Sequence, residues 1–203
     1  MGSRIMHAII STKIADCLSI SNKTSFLLGG IAPDAVAPKD LSHFYTGDVA
    51  DYLREIDYQK FLYKYHFHAK NDYILGYYSH LIADDVWLKG FYLPWLRNRM
   101  EANPEILQLY HNDFRLLNGK LLEHYGFSNQ LKEKLHLVSS SIIDLEEVKY
   151  KEVEAFLPYV VEGMEYNKDI VNEKLNVFTF DQIVGYIETS VDKGIIHLKQ
   201  ILG

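Results

Sequence analysis

The sequence predicts an all-α fold, a single domain spanning residues 1–203 and built from about seven to eight helices. Three observations predict it. Apolar residues recur at i, i+3 and i+4 along nearly the whole chain, the period of an amphipathic helix. The best strand signal, Val177-Phe178-Thr179-Phe180, is only four residues long. The helix breakers cluster most densely in one place, where Gly29-Gly30 is followed by Pro33 and Pro38.

Taken in order, Ile5, Ile9, Ile14 and Leu18 mark a helix over 4–18, with Ser3 as its N-cap. The run SNKTSFLLGGIAPDAVAPKD then predicts a short apolar helix stopping at Gly29-Gly30 and a loop through Pro33, Asp34 and Pro38. A Tyr-rich stretch over 48–66 predicts a second long helix. Asn71 caps a further one running from Asp72 toward Arg97, where Pro94 kinks or ends it. Helices follow at 104–125, closed by Gly126, at 129–138, at 145–166 with a break before Pro158, and at 181–202, capped by Asp181. There is no internal repeat and no low-complexity linker. The longest non-periodic stretch is 29–43, and long irregular loops in compact domains are where function concentrates.

Charge and composition exclude several classes. Hydrophobic residues at 48% and charged residues at 24% describe an ordinary globular chain, neither disordered nor fibrous. With 21 Lys+Arg against 27 Asp+Glu the net charge is −6, which argues against stable nucleic-acid binding, because phosphate is repelled. The single cysteine, Cys17, permits no internal disulfide and fits a reducing compartment. The first residues lack the long apolar run of a signal peptide, and no stretch reaches the roughly 20 apolar residues of a membrane span. A cytoplasmic location is therefore expected.

Nine histidines hold the chemical interest. In Ser79-His80-Leu81-Ile82-Ala83-Asp84, His80 and Asp84 stand four apart, so a helix stacks them on one face. Such a pair can offer one metal an imidazole nitrogen and a carboxylate oxygen, or it can simply stabilise the helix. Asp34 in its Gly/Pro loop reads equally as a turn former and as a ligand, and His43 as a solvated loop residue or a ligand. His7, flanked by apolar residues, reads as a satisfied core residue or a ligand. Together His7, Asp34, His43, His80 and Asp84 make three imidazoles and two carboxylates. Nitrogen and oxygen donors without thiolate suit zinc, and manganese or iron accept the same set. With one carboxylate bridging, five groups suffice for two ions, and two-metal sites hydrolyse phosphate esters.

The run GGIAPDAV, then SHF, then ILGYYSHLIADDVW resembles the bacterial zinc-dependent phospholipase C family over roughly residues 5–90. The resemblance implies that family's all-helical fold, shared with single-strand nucleases, and phosphoester hydrolysis at a zinc site. It implies Asp34, His43, His80 and Asp84 as ligands of a first ion, with His7 and the bridging Asp84 holding a second. Within that ligand set Asp34 is the best candidate to double as general base. The implied partner is a small-molecule phosphoester or a phospholipid head group.

Two departures stand out. Secreted members use a processed N-terminal amine as a ligand, whereas six residues precede His7. The family's histidine after the HxxxD aspartate is replaced by Val86, Trp87 and Leu88. His111 and Asp113 in the 104–125 helix are candidate replacements, one at most, since residues two apart point in different directions. The rival HD-domain phosphohydrolases need adjacent His-Asp, and the chain contains no such dipeptide.

His66 and His68 read as helix-end residues or phosphate contacts. The aromatic run from Trp87 to Trp95 reads as core or as an apolar pocket wall. Two further classes remain open at this stage: a non-catalytic metal-stabilised or ligand-binding helical domain, and a metal-free helical interaction protein.

Overall fold

The computed structural model describes residues 2–136 and 142–203, and it is all-α apart from one two-stranded ribbon. Its centre is α4, Asp72–Trp87, opened by Asn71, whose side chain accepts the Tyr73 N–H at 2.9 Å. Every residue of α4 from Tyr73 to Trp87 is buried. A helix apolar all round belongs in the middle of a domain. Around it pack α1 (Arg4–Cys17), α2 (Lys23–Ile31) and α9 (Phe180–Leu202). Ser3 caps α1 as expected, accepting the Met6 N–H at 3.3 Å.

The Gly29-Gly30 pair does not stop α2. Both glycines lie inside the helix, which runs on to Ile31. Their purpose is contact. A β-carbon on Gly29 would fall 2.0 Å from the Tyr73 carbonyl oxygen, and one on Gly76 would fall 2.0 Å from that of Phe26. The α2 and α4 backbones therefore touch directly, which only glycine at these positions allows.

The expected helix over 48–66 is mostly absent. Residues 44–56 turn instead. Tyr45–Thr46 (β1) pairs antiparallel with Glu55–Ile56 (β2), and Phe44, Gly47 and Tyr52 all have positive φ. Left-handed backbone at these points ends any helix. Only α3, Tyr58–Lys64, forms, with Asp57 accepting the Lys60 N–H at 2.9 Å.

Pro94 does not end the rod that α4 begins. The chain passes from α4 into a π-helical stretch, Leu88–Leu96, and then into α5, Arg97–Ala102. The wider turn accommodates a proline that lacks a donor. Next come α6 (Glu105–Tyr125), closed by Gly126 at φ 69°, and α7 (Ser128–His136). Positions 137–138 of the expected 129–138 helix lie outside the described residues.

The 145–166 expectation narrows to α8, Tyr150–Glu162, which carries Pro158 within it. Thr179, rather than Asp181, caps α9 through a reciprocal box with Gln182. Val177–Phe180 forms no strand, for a reason given below. Nearly all the described buried apolar residues make one continuous core. Trp87 sits within it, stacked on Phe91 at 4.7 Å and edge-on to Phe178 and Tyr186.

Candidate metal centre

Four separate pieces of chain bring five side chains to one point. His7 comes from the second turn of α1, and Asp34 from the 3-10 turn Ala32–Ala35 that follows α2. His43 comes from the loop before β1, and His80 with Asp84 from α4. All five side chains are 5% exposed or less.

The loop is pinned from below. The Tyr77 hydroxyl donates to the Ser42 carbonyl at 2.7 Å, and the Ser42 hydroxyl donates to the Pro33 carbonyl at 2.9 Å. The Asp34 turn and the His43 loop are thereby tied to each other and to α4. The glycine contact between α2 and α4 fixes the fourth piece, because His80 Nδ1 lies 2.8 Å from the Gly30 carbonyl oxygen.

These bonds settle which ring nitrogens carry hydrogen. A carbonyl only accepts, so His80 Nδ1 holds the proton and Nε2 faces inward. His43 repeats the arrangement, with Nδ1 3.1 Å from the Lys39 carbonyl oxygen and 2.9 Å from the Ser42 hydroxyl oxygen, whose own hydrogen goes to the Pro33 carbonyl. Metal-ligating histidines are oriented in this way, one ring nitrogen donating to a backbone carbonyl and the other free for the ion. The two Nε2 atoms face each other at 3.3 Å. Two lone pairs at that distance repel unless a proton or a cation stands between them.

Asp84 completes the cluster from below. Its Oδ1 lies 3.2 Å from His7 Nε2, and its Oδ2 lies 3.2 Å from His43 Nε2 and 3.6 Å from His80 Nε2. Each oxygen thus faces a different set of imidazoles, as a bridging carboxylate would. Neither oxygen receives an aligned N–H, and neither nitrogen of His7 has a hydrogen-bond partner. Buried polar atoms left in this state are costly without a partner. Asp34 Oδ1 stands 3.6 Å from His43 Nε2.

Two overlapping groups have ligand atoms all within 4.8 Å of one another: His7 with Asp34 and His80, and His43 with His80 and Asp84. His80 is common to both. The donor set, the burial and the orphaned atoms fit a metal ion, and these clusters can hold one.

The electrostatics favour bare ligands. Burial would raise the Asp84 and Asp34 pKa values, but the surrounding imidazoles outweigh it and hold both carboxyls well below the usual range. The Lys39 ammonium, in contact with Asp34 Oδ1, adds to this for Asp34. Burial, helped by the adjacent His7, pushes His80 down to about 4, so it is a neutral donor at physiological pH. For His43, burial pulls the pKa down but is overcome by the neighbouring carboxylates of Asp34 and Asp84, and it rises. A proton on His43 is the species that an incoming cation displaces.

The structure does not bring the two candidate replacement ligands to the cluster. Asp113 is fully buried in α6, and its carboxylate accepts the backbone N–H groups of Asn176, Val177 and Phe178 at 2.9, 2.7 and 3.1 Å. It is committed to holding 176–178 ahead of α9, which is also why that segment pairs with no strand. His111 is exposed and lines a neighbouring cavity, outside both ligand groups. His66 and His68 lie on the surface at the end of α3.

Three residues that sequence reasoning passed over surround the centre. Lys39 contacts Asp34, Tyr45 stacks on His43 with ring centroids 5.8 Å apart, and the Arg54 guanidinium lies 3.9 Å above the Tyr45 ring. Lys39 and Tyr45 flank the Ser42-His43-Phe44 motif, a proximity that could have marked them. No protein-family model, curated protein or solved structure matches this chain, so its functional reading rests on this geometry.

Proposed function

We propose that the chain is a metal-dependent hydrolase of phosphate esters, a phosphodiesterase of phospholipase C type with zinc as its expected ion. The observation that carries this reading is the convergence of three imidazoles and two carboxylates from four chain segments, with His80 and His43 pre-oriented and the oxygens of Asp84 unpartnered. The likeness of the Gly29–Val36, Ser42–Phe44 and Ile74–Trp87 runs to the zinc phospholipase C motifs supports it.

Divalent ions at such a site lower the pKa of water toward neutrality and neutralise charge on a phosphoryl group. His7, His43, His80, Asp34 and Asp84 would hold them. Asp34 is the one member of the cluster that lines the adjoining cavity, so water and substrate reach the centre at its side chain. Its low pKa keeps it ionised at neutral pH, able to orient an attacking water and accept its proton. Tyr77 and Ser42 act on the chemistry only by fixing the His43 loop.

The test is metal content by mass spectrometry combined with turnover of a phosphodiester and phosphomonoester panel. Chelation should abolish turnover and zinc should restore it. His80→Ala and Asp84→Ala should each lose metal and activity together. Full metal content in either variant overturns the ligand assignment. Stoichiometric metal without turnover of any ester would leave the metal-stabilised, non-catalytic domain as the reading.

A further inference from the structure

Beside Asp34 opens a cavity of about 1170 Å³. Pockets for drug-sized ligands run to roughly 300–1,000 Å³, so this is far more space than a phosphate group needs. Beside Asp34 and Tyr45 stand the cations Lys39 and Arg54. The rest of the lining is mixed, with Arg4, His111, Arg115, Asn118, Glu162 and Glu165 among apolar side chains, and most of the apolar ones come from two helical elements.

The first wall is the rod continuing from α4. Leu88, Tyr92, Leu96 and Met100 recur every four residues and all face the cavity. The widened π turn, with its i→i+5 bonding, keeps such a series on one face over the length of the segment. The second wall is α6, which contributes Leu107, Tyr110 and Phe114 at helical spacing. Leu107 is 50% exposed at the rim, a large apolar side chain held partly in water. The π segment therefore gives the helix that carries His80 and Asp84 a second role, as one side of a trough leading from the metal centre.

We infer that this trough binds the apolar substituent of the phosphoester, so that the substrate class is a monomeric amphiphile, its anion at the Asp34 and Lys39 end and its alkyl or aryl body between the π segment and α6. The inference rests on the proposed phosphoesterase site for where the anion sits. It adds that the apolar group is enclosed by the protein instead of remaining in a lipid surface. Asp34 fixes the direction, since it is the member of the ligand cluster that opens into the cavity.

The experiment is calorimetric titration of the zinc-loaded full chain with n-alkylphosphonates, from ethyl to octyl, each below its aggregation concentration. These probes carry no ester bond, so binding is read without turnover. A fully buried methylene is worth roughly fourfold in affinity. Affinity should therefore rise at least tenfold from ethyl to octyl. Met100→Gln and Leu107→Gln, at half-buried and exposed positions, should flatten that rise while leaving zinc content unchanged. If one variant misfolds by circular dichroism, the other decides.

Equal affinity across the series, or a rise that both variants retain, overturns the trough. So does octyl binding only when the probe is embedded in phosphatidylcholine vesicles. A protein that hydrolyses phosphodiesters but shows no chain-length dependence refutes this inference alone. One that shows the dependence without hydrolysis refutes the catalytic reading alone.

Discussion

Asp84 and Asp113 are both fully buried carboxylates on long helices, and they are solved in opposite ways. Asp113 accepts backbone N–H groups from three successive residues, Asn176 to Phe178, and so closes the chain onto α6. Asp84 receives no aligned N–H and instead faces the Nε2 atoms of three histidines at 3.2–3.6 Å. The first is a clamp complete within the protein. The second is a set of acceptors and lone pairs that a cation would complete. Burial alone does not separate a structural carboxylate from a ligand; the direction of the nearest N–H groups does.

That contrast is broken or sharpened most strongly by zinc itself. Binding to the folded state alone stabilises by RT ln(1 + [L]/Kd), about 4 kcal/mol at a thousandfold excess over Kd. Denaturant unfolding of the chelated chain, repeated with zinc, should show a gain of that order. Asp84→Asn should abolish the gain, because the variant loses the carboxylate charge and one of the two oxygens that together face three imidazoles. Asp113→Asn should keep it in full. An equal zinc effect in both variants would remove the distinction between the two carboxylates.

The next effect is of pH, and it belongs to the Asp84 region. In the chelated protein His80 titrates at about 4 against an ordinary 6.5. Between those values the unfolded chain binds a proton that folded His80 refuses, so stability rises with pH across that window. The expected loss on acidification from 6.5 to 4 is about 3 kcal/mol. Asp34 and Asp84, both held low, act in the same direction further into acid. His43 acts oppositely: its raised pKa gives stability that is present below 6.5 and lost as pH climbs through the folded value. Chelated protein should thus be most stable near 6.5. Urea unfolding between pH 4 and 8 reads this directly, and a flat profile below 6.5 would sink it.

The metal half of the molecule was legible because its signals are local. The i, i+4 spacing of His80 and Asp84, the Pro33-Asp34 turn and the Ser42-His43 pair are each visible within a few residues. Their convergence is less so. It depends on Gly29 and Gly76 admitting backbone contact between α2 and α4, and those glycines read as helix breakers in one dimension. The expected helix at 48–66 failed for a similar reason, since positive φ at Gly47 and Tyr52 leaves no mark in apolar periodicity. The role of Asp113 was out of reach, because its partners lie more than sixty residues away and bind it mainly through backbone N–H groups. The continuation through Pro94 was equally hidden: the residue that ends most helices here rides in a widened turn.

The smallest of the expected effects tests the clamp. In Asp113→Asn one oxygen becomes an NH2 group, and either orientation of the amide sets a donor against a donor. With nitrogen at the Oδ2 position it meets the N–H groups of Val177 and Phe178; at the Oδ1 position it meets that of Asn176, 2.9 Å away. A hydrogen bond to a charged group is worth about 1.5–3 kcal/mol, so a loss of about 2 kcal/mol is expected in urea unfolding. The released segment lies just ahead of the α9 cap at Thr179, so amide exchange should quicken at 177–183 first, and the zinc content should stay at the wild-type value. Metal lost in proportion to stability would show instead that the clamp and the cluster are one cooperative unit, and that Asp113 helps to hold the ligands in place from a distance.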